Sequence, residues 1–311
     1  MSEFPTCRWG IVATGLISSW FVADLVIQRS DAKANHVVQA IGSSSLEKGQ
    51  DFAAKHCPNA EPTVYASYEQ VYADQNVDCV YIGTPHAFHK KNCLDAISAG
   101  KNVLCEKPFT INAREATEVL DAARKKGVYV AEAMWLRHRP MVLELRKVLF
   151  EQQAIGDVVM MTSQYALPVD INSLPPTSRY KDPGLGAGSL LDVGIYPLTW
   201  AIISLEEQSS DTSELPYITA SQTHVGGVEV TTSVILKYSS TGRHGILNST
   251  FLTQAAAPDT VCRIQGSSGF VDIIGKDASH PSSFIIYRRS SGGQFEPDKR
   301  DYPHPGQGFT F

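Results

Sequence analysis

The sequence predicts an α/β protein with a Rossmann-type, doubly wound parallel sheet, followed by a C-terminal α+β domain whose large, open sheet is mainly antiparallel. Over roughly the first 130 residues, apolar runs alternate with segments of helical periodicity, which is the pattern of repeated βα units. Past residue 150, short apolar runs follow one another across turns such as Gly226-Gly227, as in hairpins. We therefore expect a nucleotide-binding domain at residues 1–131 and a second domain at residues 132–311.

In the first domain, strands and helices are predicted in alternation. Apolar runs predict strands at residues 9–13, 37–41, 79–82, 102–105 and 128–131. Apolar residues at helical spacing predict a helix from residue 16 to residue 25, and residues 88–99 read as a helix that Gly100 ends. Capping-box spacing, Ser44 with Glu47 and Asn112 with Glu115, predicts helices that end near His56 and Gly127.

The second domain is predicted to consist mostly of strands, at residues 158–166, 218–225, 228–238, 244–252, 261–264, 271–274 and 284–287. Between the first two strands lie a glycine-rich loop, residues 183–188, and a short helix through Asp192 and Tyr196. Because a single helical layer leaves one face of such a sheet open, we expect a homodimer formed through that face.

Composition narrows the classes of partner. The formal net charge of −5 gives no reason to expect nucleic acid or an anionic membrane surface. The start of the chain resembles no secretory signal, and no apolar run approaches the ~20 residues of a membrane span. The six cysteines show no metal-ligand spacing. We expect a cytoplasmic protein without a metal site, a nucleic-acid partner or a membrane partner.

Residues 103–108, Val-Leu-Cys-Glu-Lys-Pro, place a charged pair at the end of a buried strand. Because Pro108 prevents the strand from continuing, Glu106 and Lys107 are predicted at its carboxyl end, where open α/β sheets bind their ligands. A lysine beside a cofactor at that edge is a candidate catalytic group. The alternative is a solvated surface lysine.

The turn after the first strand predicts a dinucleotide site. Ala13, Gly15 and Ser18 occupy the three glycine positions of the dinucleotide fingerprint, so only the middle glycine is kept. That glycine lets backbone amides approach a pyrophosphate at the N-terminus of the following helix. The residues expected to contact the cofactor here are Thr14, Gly15, Leu16 and Ile17. The alternative is an ordinary strand-to-helix turn.

The end of the second strand favours NADP over NAD. NAD sites usually carry an acidic residue there, whereas this chain has Gly42 followed by three serines. The hydroxyls of Ser43 and Ser44, at a helix N-terminus, suit a 2′-phosphate. Ser44 also has the alternative, compatible role of capping the helix.

Two further groups carry candidate residues. Thr84, Pro85, His86 and His89 follow the strand at residues 79–82, so we expect them at the same sheet edge, with a histidine beside the nicotinamide; a structural histidine is the alternative. Asp192 and Tyr196, four apart, share a helix face. A tyrosine with an ordinary pKa of about 10 needs a nearby cation for acid–base work near neutrality.

Lys107 would supply that cation if the two domains meet across a cleft. Asp192 would then orient the lysine or bind a substrate hydroxyl. The alternative is an ordinary surface helix whose tyrosine packs against the sheet.

Together these motifs resemble the Gfo/Idh/MocA oxidoreductase family over essentially the whole chain. The resemblance is carried by residues 9–17, by Thr84-Pro85 with His89, by residues 100–108 and by residues 188–196. Segments 8–12, 105–108, 132–135 and 191–196 are most similar to the branch of dimeric dihydrodiol dehydrogenases and fungal NADP-dependent D-xylose 1-dehydrogenases.

The resemblance implies a catalytic pair, Lys107 and Tyr196, with Asp192 beside them and Glu106 at the cofactor. It also implies that a sugar or diol hydroxyl is oxidised by hydride transfer to C4 of the nicotinamide. Finally, it implies a substrate pocket lined by Trp135, Arg137 and Arg179.

The chain departs from relatives in having Ala13 for a glycine, Ser44 where an arginine is frequent, and an end at Phe311 where relatives continue into a helix. We therefore expect the second domain to be truncated at its C-terminus.

The leading prediction is NADP-dependent oxidation of D-xylose, or a related aldopyranose, at C1 to the lactone. A trans-1,2-dihydrodiol dehydrogenase is the alternative enzyme. A non-catalytic NAD(P)-sensing regulator is the alternative from another class.

Overall fold

The computed structural model describes residues 4–27, 32–206, 214–254, 260–290 and 292–304. The chain divides into two compact units, the first ending at Met134 and the second spanning Trp135–His304. The chain end, on which the prediction of a truncated domain rests, lies outside the described residues.

The first unit contains a six-stranded sheet in which every pairing is parallel, in the order β3-β2-β1-β4-β5-β6. Its strands are β1 Thr6–Val12, β2 Asn35–Gly42, β3 Thr63–Tyr65, β4 Cys79–Ile82, β5 Asn102–Cys105 and β6 Val130–Glu132. From β1 the strand order runs outward through β2 and β3 on one side, and from β4 through β5 and β6 on the other. The switch point therefore lies between β1 and β4, which is where doubly wound folds bind dinucleotides. The predicted doubly wound sheet is confirmed, although the three-residue β3 gave no apolar run to predict it.

Helices cover both faces of this sheet: α1 Leu16–Leu25, α2 Leu46–His56, α3 Tyr68–Ala73, α4 His89–Ser98 and α5 Ala113–Lys126. The alternation of side chains along β1 explains the two cores. Trp9 and Ile11 pack with Phe21 of α1 on one face, whereas Val12 packs with Val119 of α5 on the other. Both faces are apolar, as a parallel sheet requires.

The helix starts agree with the capping signals, with one correction. Asn112 accepts a hydrogen bond from the Glu115 amide at 3.0 Å, as predicted. At α2 the cap is Ser45, whose hydroxyl accepts from the Lys48 amide, rather than the predicted Ser44. The extended backbone of Ser45 places its own oxygen over the first turn, which leaves Ser44 outside the helix.

The second unit is built on an eight-stranded sheet in the order β14-β13-β12-β11-β7-β10-β9-β8. Its strands are β7 Val158–Ala166, β8 Tyr217–Val225, β9 Val228–Lys237, β10 His244–Thr250, β11 Thr260–Gly266, β12 Gly269–Gly275, β13 Pro281–Arg289 and β14 Phe295–Asp301. Among these pairings only β10 with β7 is parallel, so the mainly antiparallel sheet is confirmed. The polar β14 lacked a predictive apolar run.

The described part of this unit includes the α-helices α6 Pro140–Arg146 and α7 Ile195–Leu205. A π-helical turn at Leu190–Gly194 leads into α7, which packs against β7, β10 and β11. The segment Pro183–Leu205, which includes α7, is long and apolar enough to cross a membrane. Because 72% of its most apolar window is buried inside the structure, this is weak evidence for a membrane span.

Candidate active-site residues in the two units

Four loops of the first unit meet at the carboxyl edge of its sheet, because the ladder continues one residue past each strand. The Gly83 amide donates to the Val12 carbonyl at 3.0 Å, and the Glu106 amide donates to the Ile82 carbonyl at 3.0 Å. The Ala13 amide likewise donates to Gly42 at 3.1 Å. The segments that begin at Ala13, Ser43, Gly83 and Glu106 therefore lie side by side at one edge.

The turn between β1 and α1 combines a strained alanine with an unobstructed glycine. Ala13 has a φ of 75°, the left-handed region that costs a residue with a Cβ about 1 kcal/mol. Gly15, with a φ of −79°, has an ordinary extended backbone, and a Cβ built on it would meet no atom within 4 Å. The fold itself does not require glycine at position 15. The space in front of the α1 N-terminus fits a closely approaching pyrophosphate.

The predicted cofactor residues around this turn are partly brought together. The hydroxyls of Thr14 and Ser43 lie 3.1 Å apart, which joins the end of β1 to the end of β2. Leu16 is 66% exposed at the start of α1. Ile17 follows it in the same first turn.

A cation that the sequence analysis did not single out lies at the end of β2. The ammonium group of Lys48 lies 3.4 Å from the hydroxyl of Ser44, and both side chains are exposed. In the sequence, the spacing of four residues between Ser44 and Lys48 could have indicated that the two side chains lie close together. Lys48 thus provides positive charge beside Ser44.

The two histidines of the Thr84–His89 segment have different environments. His89 is fully buried, and its ring nitrogens lie 2.9 Å from the Pro108 carbonyl and 2.8 Å from the Thr84 carbonyl. Burial lowers the pKa of His89, and the carbonyls oppose that effect. His89 therefore connects two loops of the sheet edge. His86, with its ring 5.8 Å from that of His89, lies in the helical turn His86–Phe88 after Pro85.

Glu106 is a buried carboxylate next to the candidate lysine. It is 4% exposed and accepts hydrogen bonds from the Tyr81 hydroxyl at 2.8 Å and from the Lys107 amide at 3.2 Å. Burial raises the pKa of Glu106 to about 7, although Lys107 and Tyr81 oppose the rise. Lys107 itself is half-buried and precedes a cis peptide bond to Pro108. Glu106 thus holds the backbone from which Lys107 projects.

In the second unit, Tyr196 lies in an aromatic group. Its ring centroid is 5.5 Å from that of Trp135 and 5.7 Å from that of Tyr165, and its side chain is 3% exposed. Tyr165, on β7, was not predicted from the sequence, and burial raises its pKa. Trp135, which the resemblance places in the substrate pocket, lies beside Tyr196 in this unit.

Asp192 is held by an arginine rather than exposed to solvent. The Arg179 guanidinium lies 3.0 and 3.2 Å from the two carboxylate oxygens, and it also stacks over the Tyr180 ring at 4.3 Å. Of the predicted substrate residues, Arg179 and Trp135 thus adjoin Asp192 and Tyr196, respectively. Arg137 is exposed in the turn Trp135–His138.

Comparison with known proteins identifies both units. The profile of the oxidoreductase family with an NAD-binding Rossmann fold matches residues 7–134, and that of the GFO/IDH/MocA C-terminal domain matches residues 142–272. The D-xylose 1-dehydrogenase (NADP(+)) of Hypocrea jecorina is 33% identical, over 86% of this chain and 72% of that protein. The trans-1,2-dihydrobenzene-1,2-diol dehydrogenase of Xenopus laevis is 34% identical, over 98% and 84%.

Solved structures agree on the fold. The aldose-aldose oxidoreductase from Caulobacter crescentus, complexed with glycerol, gives a TM-score of 0.79 at 21% identity, covering 98% of this chain and 86% of that chain. A 3-ketoreductase from Actinomadura kijaniata, in complex with NADP, gives 0.78 at 20% identity with the same coverage. The edge of the parallel sheet and the matches across both units lead to one conclusion: the chain belongs to the Gfo/Idh/MocA oxidoreductase family.

Proposed function

We propose that this protein is an NADP-dependent dehydrogenase that oxidises D-xylose, or a related aldopyranose, at C1 to the lactone. The observation that carries the proposal is Lys107 at the carboxyl edge of the sheet, beside a turn whose open glycine fits a dinucleotide. The similarity to a relative named D-xylose 1-dehydrogenase (NADP(+)) supports the substrate and the cofactor.

The cofactor would be held at the sheet edge. The turn Thr14–Ile17 would bind the pyrophosphate, and Ser43 and Ser44 with Lys48 would bind the 2′-phosphate. Thr84, Pro85, His86 and Glu106 would border the nicotinamide end, while His89 fixes the loops that carry them. Bound NADP supplies the hydride acceptor. NAD is the less favoured cofactor, because the end of β2 carries no carboxylate.

Proton transfer would fall to this chain's own side chains. Tyr196 takes the proton of the reacting hydroxyl, and the ammonium of Lys107 stabilises the negative charge that develops. Asp192, with Arg179 on its carboxylate, keeps a fixed charge one helical turn from Tyr196. A small-molecule sugar or diol is the partner that this chemistry requires.

A second candidate is oxidation of a trans-1,2-dihydrodiol. The specific observation in its favour is that two aromatic rings, Trp135 and Tyr165, lie beside Tyr196. Flat apolar surfaces suit a dihydrobenzene ring, and relatives with that activity in their name match 98% of this chain.

We further propose a homodimer formed through the open sheet face. We also propose a cytoplasmic location, which the six free cysteines support.

The test is the reduction of NADP, against NAD, by the purified chain with D-xylose and with a trans-dihydrodiol. We expect turnover that prefers NADP. The variant Lys107→Met should lose turnover at least ~100-fold, because the charge is needed mainly in the transition state, while NADP affinity in a fluorescence titration stays unchanged. Lys125→Met, on the exposed side of α5, is the matched control.

Three outcomes decide the matter. Turnover of D-xylose that Lys107→Met abolishes supports the proposal. Turnover of the dihydrodiol alone selects the second candidate. NADP binding without turnover of either substrate contradicts both enzymes and favours a nucleotide sensor.

A further inference from the structure

A polar loop of the second unit, residues 276–280, is fixed to the helix that carries Tyr196. The loop connects β12 to β13. The indole N–H of Trp200, one turn beyond Tyr196 on α7, donates to the Ala278 carbonyl at 2.9 Å. The indole N–H of Trp135 donates to the Ser279 carbonyl at 3.3 Å. Two buried indoles therefore hold this loop in a defined position relative to Tyr196.

The loop brings an imidazole to the aromatic group around Tyr196. The ring of Trp135 lies 5.5 Å from Tyr196 and 6.4 Å from His280, so it contacts both. On its other side His280 faces His304 at 6.2 Å, and Arg139 contacts His304. The imidazole thus lies at the edge of the group that contains Tyr196.

Asp277 gives the loop a fixed negative charge. Its Oδ1 accepts hydrogen bonds from the Ser279 amide at 2.8 Å, the Ser279 hydroxyl at 2.5 Å and the His280 amide at 3.1 Å. The His280 Nδ1 lies 3.3 Å from the same oxygen and 2.7 Å from the Ser279 hydroxyl. Burial raises the pKa of Asp277, but the hydrogen bonds from His280 and Ser279 lower it to about 2.

These side chains are ordered yet accessible. The side chains of Asp277 and His280 are 17% and 22% exposed, so a small ligand reaches them without unfolding the loop. The ring of Tyr165 contacts Tyr196, and its hydroxyl hydrogen-bonds to Ser279. The negative charge of the nearby Asp277 carboxylate raises the pKa of Tyr165. A carboxylate that accepts and an imidazole that donates or accepts are the groups that bind an alcohol hydroxyl in both directions.

We propose that Asp277 and His280 bind the second hydroxyl of a vicinal diol whose first hydroxyl is oxidised at Tyr196. This subsite determines specificity, and its assignment rests on the proposed function. It accounts for both candidate substrates, because an aldopyranose and a trans-dihydrodiol each carry hydroxyls on adjacent carbons. A site built to bind a hydroxyl strongly disfavours an analogue that lacks it, since its polar groups are then left unpaired.

The test compares trans-cyclohexane-1,2-diol with cyclohexanol, which lacks the second hydroxyl. Binding is followed by quenching of tryptophan fluorescence, because Trp135 contacts both His280 and Tyr196. In the wild-type protein we expect the diol to bind at least ~10-fold tighter than the mono-alcohol. In Asp277→Asn and in His280→Gln the two probes should bind about equally, with cyclohexanol affinity unchanged.

His36→Gln is the matched control, because His36 also contacts a tryptophan, Trp9, with ring centroids 6.1 Å apart, but lies in the first unit. It should leave the preference for the diol intact. If both loop variants keep the full preference, or the wild type does not distinguish the probes, the subsite is refuted. If the wild type prefers the diol and the loop variants lose that preference, the subsite stands, even where NADP is never reduced and the proposed dehydrogenase activity fails.

Discussion

At the scale of single residues, Lys48 adds a positive charge at the end of β2, where NADP is proposed to bind. In the sequence, the preference for NADP is predicted by the missing carboxylate after β2 and by two hydroxyls. The structure adds an ammonium group 3.4 Å from the Ser44 hydroxyl, on the first turn of α2. A lysine there provides a point charge for a phosphate, without the bidentate geometry of an arginine.

We expect Lys48→Ala to weaken NADP binding about tenfold and to leave NAD binding unchanged, because only NADP carries the phosphate that the ammonium would bind. Titration of the protein with each nucleotide, followed by fluorescence, measures both dissociation constants. Lys55→Ala, at the other end of the same helix, controls for a general loss of positive charge. Equal weakening of NADP and NAD would contradict the assignment.

The backbone conformation of Ala13 could not be predicted from the glycine pattern of the fingerprint. Ala13 stands at the first glycine position of the fingerprint, yet it adopts the left-handed backbone that a glycine would have used. Its amide still continues the ladder to Gly42. The hydrogen bonds of the turn outweigh a strain of about 1 kcal/mol, so the geometry of the turn is kept although the residue changes.

At the scale of elements, the neighbouring strands β9 and β10 present apolar side chains on one outer face of the second sheet. Ile235 and Ile246 are directly opposite each other and are 46% and 37% exposed, and Val159 of β7 is 51% exposed. Their sequence neighbours Leu236 and Leu247 are buried on the other face, under α7. Exposed apolar groups on neighbouring strands are typical of a surface that another protein covers.

The double variant Ile235→Lys with Ile246→Lys should convert the proposed homodimer into a monomer. The two protomers would together bring four lysines to the proposed interface, where their positive charges would repel each other. Sedimentation velocity at micromolar concentration gives the oligomeric state, and the wild type should sediment as a dimer. Leu120→Lys on α5 is the control, since Leu120 is 36% exposed but lies in the first unit. A monomeric wild-type protein would disprove the proposed interface.

Elements differ in how well the sequence predicts them, for physical reasons. Long apolar runs and capping signals placed β7 and α5 at their observed bounds, because burial and local hydrogen bonds determine both. The strand β3 and the helix α6 were missed, since three to seven residues give too little periodicity to detect. The polar β14 owes its structure to pairing with β13, a contact that local sequence does not encode.

At the scale of the whole molecule, the residues of the sheet edge were predictable and those around Tyr196 were less so. Parallel strands place their carboxyl ends together by topology, so Gly15, Ser43, Thr84 and Lys107 could be assigned from strand ends alone. The loop at residues 276–280 reaches the Tyr196 helix through hydrogen bonds between residues 78 and 144 positions apart. No local pattern reports such contacts, which is why the loop was missed.

Glu106 links the candidate site to the stability of the first unit. In the unfolded chain its carboxyl would titrate near 4.5, whereas burial raises the pKa in the folded protein to about 7. Between these two pH values the folded protein binds a proton that the unfolded chain has released. Stability due to this group is therefore highest below pH 4.5, falls as the pH rises toward 7, and is constant above that value.

We expect Glu106→Gln to remove this dependence. Relative to the wild type, the free energy of unfolding of the variant should increase by about 2 to 3 kcal/mol between pH 5 and pH 8, because a shift of one pKa unit corresponds to about 1.4 kcal/mol. Urea unfolding at both pH values, followed by the fluorescence of Trp9, measures the difference, and the exposed Glu151→Gln should show none. A difference between Glu106→Gln and the wild type that does not change with pH would mean that Glu106 is ionised in the folded protein throughout this range. The carboxylate would then be held by Tyr81 and Lys107 strongly enough to offset its burial, and it would act on Lys107 as a permanent charge.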